Sequence, residues 1–337
     1  MAKYGQVDIE YIEEFPRVPA PFYVRDWQKT ALAYNQIAFD TQATGQYLPL
    51  ITLSQIEQPT TGGYTGEIFA IPSYVGREIG QYGEALTCLG AVLGGALAGI
   101  NKREDRQKDW VRMSQAYYSV VNGHGLVLNG INMDEGIDSF WYGIFPSCLF
   151  YHIGALYPGD SSFADQMLAI ADSWRKVLPD LYGNWEHTGY DFNLMMSTDS
   201  NRWVEPDAAI GIAYLQYIAY VKSGDKAYLE AAQNCMNEMS NYPSNPYYEI
   251  LGSYGPYLAA RMNAEIGTNY PIDRFLSYVF HFSSAARPGW GIIRERWGDY
   301  DAYGLSGSTT DTGGYAFSMN TYTTAGVVAP MVRYAPQ

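Results

Sequence analysis

The 337-residue sequence contains few cysteine and histidine residues, which limits the metal and redox chemistry that it can support. Its three cysteines, Cys88, Cys148 and Cys235, lie far apart in apolar segments, without CxxC spacing. We therefore expect buried free thiols rather than a disulfide framework. The sequence has no HExxH motif and no cluster of Cys with His, so neither a zinc site nor another cofactor is expected.

Basic residues and long apolar runs are also scarce. The 21 Lys and Arg side chains are outnumbered by 35 Asp and Glu, which gives a net charge of −14 at pH 7. Nucleic acids and anionic membranes bind basic surfaces, so neither is expected as a partner. A membrane-spanning helix needs about 18 to 20 apolar residues, and the closest run, Leu86 to Ile100, is shorter. No secretory leader is recognisable after Met1.

Aromatic residues, by contrast, are abundant. They make up 15% of the chain, with 31 Tyr and 8 Trp, while 47% of all residues are hydrophobic and only 17% are charged. A Tyr-rich core explains this composition, and flat rings that stack on sugars are the alternative explanation. No linker rich in Pro, Gly or Ser and no run of charge divides the chain, so residues 1–337 are expected to form a single domain.

The apolar residues predict two alternating kinds of helix. One-sided amphipathic helices are predicted at 106–121, 161–177, 225–240 and 271–281. Helices that are apolar on nearly every face are predicted at 80–99, 138–157, 205–222 and 248–267. A helix that is apolar all round is buried all round, so the alternation predicts an inner layer wrapped by an outer layer. Helices at 24–39 and 313–329 extend the series and could meet to close a ring.

The connections follow the same alternation. Those from an inner to an outer helix are short, whereas most of those from an outer to an inner helix are long, at 40–79, 122–137, 178–204 and 282–312. Long loops without helices of their own commonly carry function, and in a ring of hairpins these loops emerge on one face. The predicted fold is therefore all-α, an α/α toroid of five to seven hairpins, with a helical solenoid as the alternative.

Loop 178–204 brings several reactive side chains close together in sequence. Glu186, His187, Tyr190 and Asp191 are the candidates within this loop. Glu205 and Asp207 follow at the start of an inner helix, on either side of Pro206, where acids suit the helix dipole. Capping is the simpler explanation of Asp207, and it is as good as catalysis for Glu205.

Loop 282–312 combines arginine with aromatic residues. Three arginines, Arg287, Arg294 and Arg296, lie within ten positions of each other, and the guanidinium fork is well suited to hold a carboxylate. The aromatic candidates interleaved with them are Trp290, Tyr300 and Tyr303. A salt-bridge lattice that stiffens this loop is the alternative explanation of the arginines.

Smaller contributions to the same face are expected from loop 122–137 and the helix that follows it. Asn122 and His124 lie among flexible glycines, from which they could approach a substrate, although a plain turn is the simpler interpretation of each. Trp141, near the start of an inner helix, is added as a substrate-binding aromatic.

Inner and outer helices with aromatic loops on one face resemble the α/α-toroid carbohydrate-active enzymes, which include many glycoside hydrolases and several polyuronate lyases. More narrowly, the stretch from Arg294 to Tyr303 resembles the Arg-plus-Tyr sites of toroid lyases that act on alginate or glucuronan. The resemblance covers roughly residues 80–330 and implies a polysaccharide lyase. Its substrate is expected to be an acidic polysaccharide or oligosaccharide.

A lyase removes the C5 proton of a uronic acid and expels the 4-linked oxygen, which requires a carboxylate neutraliser, a base and an acid. Arg294 is expected to neutralise, with Asn122 as an alternative, and Tyr300 or His187 to move the proton. The other candidates are expected to bind substrate. These are Asn122, His124, Trp141, Tyr190, Arg287, Trp290, Arg296 and Tyr303.

Two other functions remain open from the residues alone. An inverting hydrolase needs two carboxyl groups about 6.5–9.5 Å apart. The candidates for that pair are Glu186, Asp191, Glu205 and Asp301. A non-catalytic glycan-binding protein could use the same aromatic face. In each case we expect a periplasmic or secreted monomer whose signal peptide is absent from this sequence.

Overall fold

The computed structural model describes residues 26–73, 83–131, 137, 139–200, 202–315 and 318–336, and helices dominate this part of the chain. The α-helices are α1 (Trp27–Ala38), α2 (Ala85–Leu97), α3 (Trp110–Ser114), α4 (Phe140–Leu156), α5 (Ser161–Leu181), α6 (Ala208–Ser223), α7 (Lys226–Ser240), α8 (Tyr254–Ile266), α9 (Ile272–Val279) and α10 (Ser318–Val328). The strands are β1 (Thr52–Ile56), β2 (Gly66–Ala70), β3 (Tyr118–Val121), β4 (His124–Val127), β5 (Gly189–Asp191), β6 (Met196–Thr198), β7 (Gly291–Ile292), β8 (Arg296–Trp297), β9 (Tyr300–Asp301) and β10 (Ser306–Gly307).

The even-numbered helices form one continuous layer. Helices α2, α4, α6, α8 and α10 contact one another in chain order, and α1 packs on α2. Most residues of α4 and α6 are buried on every side, as their apolar sequences predict. Within the described ranges, no helix is both long and apolar enough to cross a membrane.

The odd-numbered helices α3, α5, α7 and α9 pack on this layer from outside. Helix α5 contacts α4 and α6, α7 contacts α6, and α9 contacts α8. Helix α5 buries the stripe predicted from its sequence, including Phe163, Ile170 and Trp174, and leaves its polar face in solvent. The predicted alternation of buried and one-sided helices is therefore confirmed for α4 to α9.

Three outer helices begin differently from the inner ones, whereas α9 follows Pro271 and has no side-chain cap. Outer helices α3, α5 and α7 carry their own aspartate caps, at Asp109, Asp160 and Asp225, whose carboxylates accept hydrogen bonds from the first turn. The inner helices α4, α6 and α8 have no side-chain cap of their own. The first N–H groups of α6 bond to the carbonyl oxygens of the preceding turn, 205–207, whereas α4 and the segment that enters α8 receive side-chain acceptors from elsewhere in the fold.

The prediction of a purely helical fold is wrong for the long connections. Five two-stranded antiparallel sheets occur in the described residues: β1–β2, β3–β4, β5–β6, β7–β10 and β8–β9. Each lies in one of the long connections or at its edge. A long segment that crosses a protein surface must pair its backbone groups, and a hairpin does so locally.

The predicted helix at 106–121 is the clearest error. Only α3 is α-helical there, and the chain then turns into β3, which pairs with β4. Asn122 and Gly123 form the tight turn with φ of 49° and 77°. An Asn-Gly pair between β-branched and aromatic residues is a strong hairpin signal, and it outweighs the helical spacing of the apolar residues here.

Close packing of the inner helices depends on Gly211 of α6. A Cβ atom there would lie 2.6 Å from Cγ2 of Ile144 and 3.0 Å from Cδ2 of Leu251. We expect Gly211→Ala to lower the free energy of unfolding by about 1–3 kcal/mol because the added methyl overpacks the core. Chemical denaturation measures this difference.

Gly90 in α2 provides the matched control. No described atom lies within 4 Å of the position that a Cβ would occupy there. The same Gly→Ala change should raise the free energy of unfolding by up to about 1 kcal/mol through helix propensity. Equal effects of the two substitutions would contradict the close contact between α4 and α6.

Candidate functional site

Acidic side chains from three segments meet where the inner helices begin. We call Glu205, Asp207, Glu249 and Asp311, together with Arg287, the acid cluster. Glu205 and Asp207 precede α6, Glu249 precedes α8, and Arg287 and Asp311 belong to the connection before α10. Glu205 and Asp207 have no solvent exposure, and Glu249 and Arg287 are also buried.

Glu205 caps the neighbouring helix α4 rather than its own helix. Its Oε2 accepts a hydrogen bond of 2.7 Å from the backbone N–H of Trp141, in the first turn of α4. Its Oε1 accepts a hydrogen bond of 2.6 Å from the hydroxyl of Ser139. Both oxygens are thus engaged at the positive end of the α4 dipole.

Asp207 also caps a neighbouring element, the segment that enters α8. Its Oδ2 accepts hydrogen bonds from the backbone N–H groups of Tyr248, at 3.2 Å, and Gly252, at 2.9 Å. These donors lie in the segment that leads through a 3-10 turn, Leu251–Ser253, into α8. Its Oδ1 accepts no hydrogen bond from the described residues. The expectation that Asp207 is a capping residue is confirmed, although it caps the entry to α8 rather than α6.

Arg287 connects the remaining two acids. Its Nη1 donates to Glu249, and its Nε and Nη2 donate to Oδ2 of Asp311 at 3.0 Å and 2.6 Å. Its guanidinium carbon lies 3.7 Å from the ring centroid of Trp290. Asn320 of α10 donates a further hydrogen bond of 3.3 Å to Glu249. Arg287 is therefore part of a buried salt-bridge lattice, and the alternative interpretation of the arginines is correct for this residue.

Burial raises the pKa of each deep carboxyl in the acid cluster. It raises the pKa of Glu205 well above its usual value, against the opposing effect of the hydrogen bonds from Ser139 and Trp141. Burial also raises the pKa of Asp207 to about 7, although backbone donors oppose it. The pKa of Glu249 is raised by burial and lowered less by Arg287. Burial therefore shifts all three carboxyl groups toward the protonated form relative to the same groups in water.

A cavity of about 450 Å³ lies beside the acid cluster, and we call it the Arg294 cavity. Its walls are Phe282, Gly289, Ile292, Ile293, Arg294, Glu295, Gly307, Ser308, Thr309 and Thr310. The guanidinium of Arg294 stacks on Phe282, with its carbon 3.8 Å from the ring centroid. Glu295 accepts a hydrogen bond from the hydroxyl of Thr309. A cation, a carboxylate, hydroxyls and an aromatic ring are thus available in one accessible pocket.

The segment 294–303, which we call the arm, extends from the floor of this cavity. Strands β7 and β10 pair below it, and β8 and β9 pair at its tip. The return strand has one residue more than the outgoing strand between the two sheets, which makes a β-bulge, and Gly304 takes a φ of 80° there. Tyr300 is 73% exposed and Tyr303 is 37% exposed.

His187 lies near the acid cluster through its backbone. Its carbonyl accepts a hydrogen bond of 2.9 Å from the N–H of Glu205. Its ring nitrogens contact Asn184 at 3.0 Å and Asp199 at 2.9 Å. Arg202, from the same connection, lies 3.9 Å from Asp311. Loops 178–204 and 282–312 therefore adjoin at the end of the molecule where the inner helices begin.

Several predicted substrate-binding residues lie in the core instead. Tyr190 has no exposure and donates a hydrogen bond of 2.6 Å to Asp180. Trp290 has no exposure, and Trp141 packs on Phe145 with only 6% of its surface exposed. An aromatic ring can pack in the core as well as stack on a sugar, and the rings of these three residues pack in the core.

Asn122 and His124 belong to the β3–β4 hairpin and support it. Asn122 donates to the carbonyl oxygens of Phe192, at 3.0 Å, and Asn193, at 3.4 Å. His124 is 9% exposed, and its ring lies 5.5 Å from that of Phe192. Burial lowers the pKa of His124. Neither residue lines the Arg294 cavity.

The carboxylates considered for a hydrolase are also separated. Asp191 closes its own turn by accepting from the backbone of Asn193 and Leu194. Asp301 is exposed on the arm and lies 3.1 Å from Arg296. Glu205 alone among the four belongs to the acid cluster. Glu249 and Asp311 were missed because neither has an unusual sequence context, although Asp311 lies only 24 positions after Arg287, in the same connection.

Within the described ranges, no group of three or more His, Cys, Asp or Glu side chains is arranged to hold a metal ion. Comparison with known protein families, with curated proteins and with solved structures finds no match to this chain.

The two backbone hydrogen bonds that Asp207 accepts generate a test of the acid cluster. The pKa of this carboxyl is about 7 in the folded state, above the ordinary 3.8. Protonated Asp207 therefore makes its full contribution to the free energy of unfolding when the pH is below the ordinary pKa. That contribution is lost as pH rises through the folded pKa. Asparagine keeps an acceptor oxygen and cannot ionise. We therefore expect Asp207→Asn to lose less unfolding free energy than the wild type between about pH 5 and pH 8.

Asp207→Ala serves as the control because it removes the acceptor as well as the charge. It should cost about 1–3 kcal/mol by leaving buried N–H donors unsatisfied, even at the acidic end of this range. Urea denaturation of the wild type, Asp207→Asn and Asp207→Ala at about pH 5 and about pH 8 measures the free energy of unfolding for this comparison. Parallel pH profiles for the wild type and the asparagine variant would contradict a raised pKa.

Proposed function

We propose that this protein is a carbohydrate-active enzyme that cleaves an acidic polysaccharide, and that Arg294 holds the carboxylate of a uronic acid unit. The observation that carries the proposal is the Arg294 cavity, where Arg294 lies beside Glu295 and the hydroxyls of 308–310. A guanidinium binds a carboxylate through two parallel hydrogen bonds, and hydroxyls pair well with those of a sugar. A secreted or periplasmic monomer is part of this proposal.

The proposed architecture is an α/α toroid. The inner helices contact one another in chain order, and the ring of Trp27 in α1 lies 5.4 Å from that of Tyr322 in α10. A contact between α1 and α10, at the two ends of the described helical series, is what closure of a ring requires. The acid cluster then lies at the face where the long connections emerge, which is the face that carries the Arg294 cavity.

β-Elimination is the reaction that we favour. A base removes the C5 proton, the electron pair of that C–H bond forms the C4–C5 double bond, and the 4-linked oxygen leaves with a proton from an acid. Arg294 stabilises the negative charge that develops on the carboxylate. Tyr300 and His187 remain the candidates for proton transfer, and Tyr303 lies on the same arm as Tyr300. Solvent exposure supports proton transfer by a tyrosine rather than by a carboxyl of the acid cluster. Tyr300 and Tyr303 are exposed, whereas Glu205 and Asp207 are buried.

Inverting hydrolysis is the second candidate, and the acid cluster is the observation that favours it. A general acid needs a carboxyl that remains protonated near neutral pH, and burial raises the pKa values of Glu205, Asp207 and Glu249 in that direction. This mechanism requires one of these buried groups to become accessible to substrate and a second carboxylate about 6.5–9.5 Å away.

Cleavage assays distinguish the two reactions. Incubation with alginate, glucuronan and a panel of neutral glycans is followed by ultraviolet absorbance and by reducing-end analysis. A lyase produces an unsaturated uronate that absorbs in the ultraviolet, and we expect this signal with an acidic glycan. New reducing ends without the absorbance would contradict the lyase and support the hydrolase. Glycan binding without cleavage would contradict both and support a glycan-binding protein.

Arg294→Ala should reduce kcat/KM on the acidic substrate by about 10-fold to 100-fold, because a charged hydrogen-bonding partner of the carboxylate is lost. Arg294→Lys should recover only part of this loss, since it keeps the charge but not the fork. Arg333→Ala, on the exposed surface after α10, removes the same charge and should leave kcat/KM unchanged. Full activity of Arg294→Ala would remove this residue from the site.

Tyr300→Phe tests the assignment of the proton donor and acceptor. Loss of one hydroxyl should abolish turnover and leave substrate affinity nearly unchanged, because the ring still packs and stacks. Turnover is measured by ultraviolet absorbance and affinity by calorimetry. Wild-type turnover in this variant would exclude Tyr300 from the chemistry, and the same substitution at Tyr303 would then be the next test.

A further inference from the structure

The arm that extends from the Arg294 cavity is acidic beyond Arg294 itself. Segment 294–303 contains two arginines but three acids, Glu295, Asp299 and Asp301. Arg296 is engaged within the arm, because its Nη2 donates to the carbonyl of Asp299 at 2.7 Å and its Nε lies 3.1 Å from Asp301. Past the cavity, the arm therefore presents no surplus of positive charge for a second carboxylate.

The same arm carries exposed aromatic rings. Trp297 is 40% exposed and Tyr300 is 73% exposed, and their ring centroids are 6.4 Å apart. Trp297 lies against Gly314, where a Cβ would come within 2.4 Å of its indole nitrogen. This contact holds the arm beside the turn that follows Thr310, and hence beside the wall of the Arg294 cavity. Exposed rings on a segment that begins in a polar pocket provide a stacking surface for the apolar faces of sugars.

These charges select among acidic polysaccharides. In a homopolymer of uronic acid, the unit next to the one held by Arg294 would bring its carboxylate to the arm, where Asp299 and Asp301 outnumber Arg296. The negative charge of this carboxylate and the negative charges of the arm repel each other in water, and the whole chain already carries a net charge of −14. A neutral sugar in that position avoids the repulsion and still stacks on the rings of the arm.

Accepting the proposed function, we infer that the substrate is a heteropolysaccharide in which a uronic acid, held at Arg294, is bordered by neutral sugars that stack on Trp297 and Tyr300. Alginate and glucuronan, which carry a carboxylate on every unit, are then poorer substrates than a polymer with isolated uronates. Gellan, in which glucuronate is flanked by neutral sugars, is a probe of the favoured kind.

The test compares binding and cleavage of two oligosaccharide sets of equal length. One set is prepared from gellan and the other from glucuronan, and affinity is measured by calorimetry at low and high salt. We expect tighter binding of the gellan oligosaccharides at low salt and a smaller preference at high salt, where exposed charges are screened. Equal or tighter binding of the glucuronan oligosaccharides at low salt would overturn the inference.

The double variant Asp299→Asn with Asp301→Asn tests the cause. It should raise affinity for glucuronan oligosaccharides by about 3-fold to 10-fold and leave that for gellan oligosaccharides unchanged. Glu230→Gln with Asp273→Asn removes the same net charge from exposed positions on α7 and α9 and should change neither affinity. An identical gain from this control pair would attribute the effect to net charge and overturn the role of the arm.

Cleavage separates this inference from the proposed function. Ultraviolet-absorbing products from gellan but not from glucuronan support both. Cleavage of glucuronan with an affinity at least equal to that for gellan keeps the lyase and overturns the heteropolysaccharide. Tighter binding of gellan without any cleavage overturns the enzymatic proposal and retains the selectivity of the arm for isolated uronates.

Discussion

Helices α4, α6 and α8 begin without side-chain caps of their own, and the inner layer depends on the two carboxylates that satisfy the amino end of α4 and the segment that enters α8. Glu205 and Asp207 lie on either side of Pro206 at the start of α6. Glu205 accepts from the first turn of α4, and Asp207 accepts from the segment that enters α8. One tripeptide therefore joins three inner helices, and removal of either carboxylate would leave buried N–H groups without an acceptor.

This arrangement determines where accessible chemistry can lie. The carboxyls that satisfy helix ends are buried, and burial raises their pKa values. Glu249 is buried as well, and Arg287 lies between it and Asp311, where its positive charge compensates these two acids. In the proposed function, a substrate meets instead the loop next to this lattice, where Arg294 and Glu295 line a cavity. The acid cluster supports that loop in either proposed reaction, and it supplies acids directly only if a buried carboxyl opens to the cavity.

The architecture was more predictable than the site. Periodicity identified helices α4 to α9 because whole faces of each are buried or exposed. It failed at 106–121, where the Asn122–Gly123 turn directs the chain into a hairpin, and it did not identify the strands in the other long connections. At the site, local sequence does not distinguish an arginine that lines a cavity from one that lies between two acids. Arg294 was therefore predicted to neutralise the substrate carboxylate and Arg287 to bind substrate, although only Arg294 lines the cavity.

The sequence by itself determined which helices are inner and which are outer, and that the connections rich in Arg and aromatic residues all lead into inner helices. The reason is that burial of a helix face requires apolar residues at fixed spacing, which is a local property. Only the tertiary structure decided which helix each acid caps and which rings are enclosed. Those contacts join residues far apart in the chain, such as Glu205 with Trp141 and Arg287 with Glu249, and no local pattern specifies such partners.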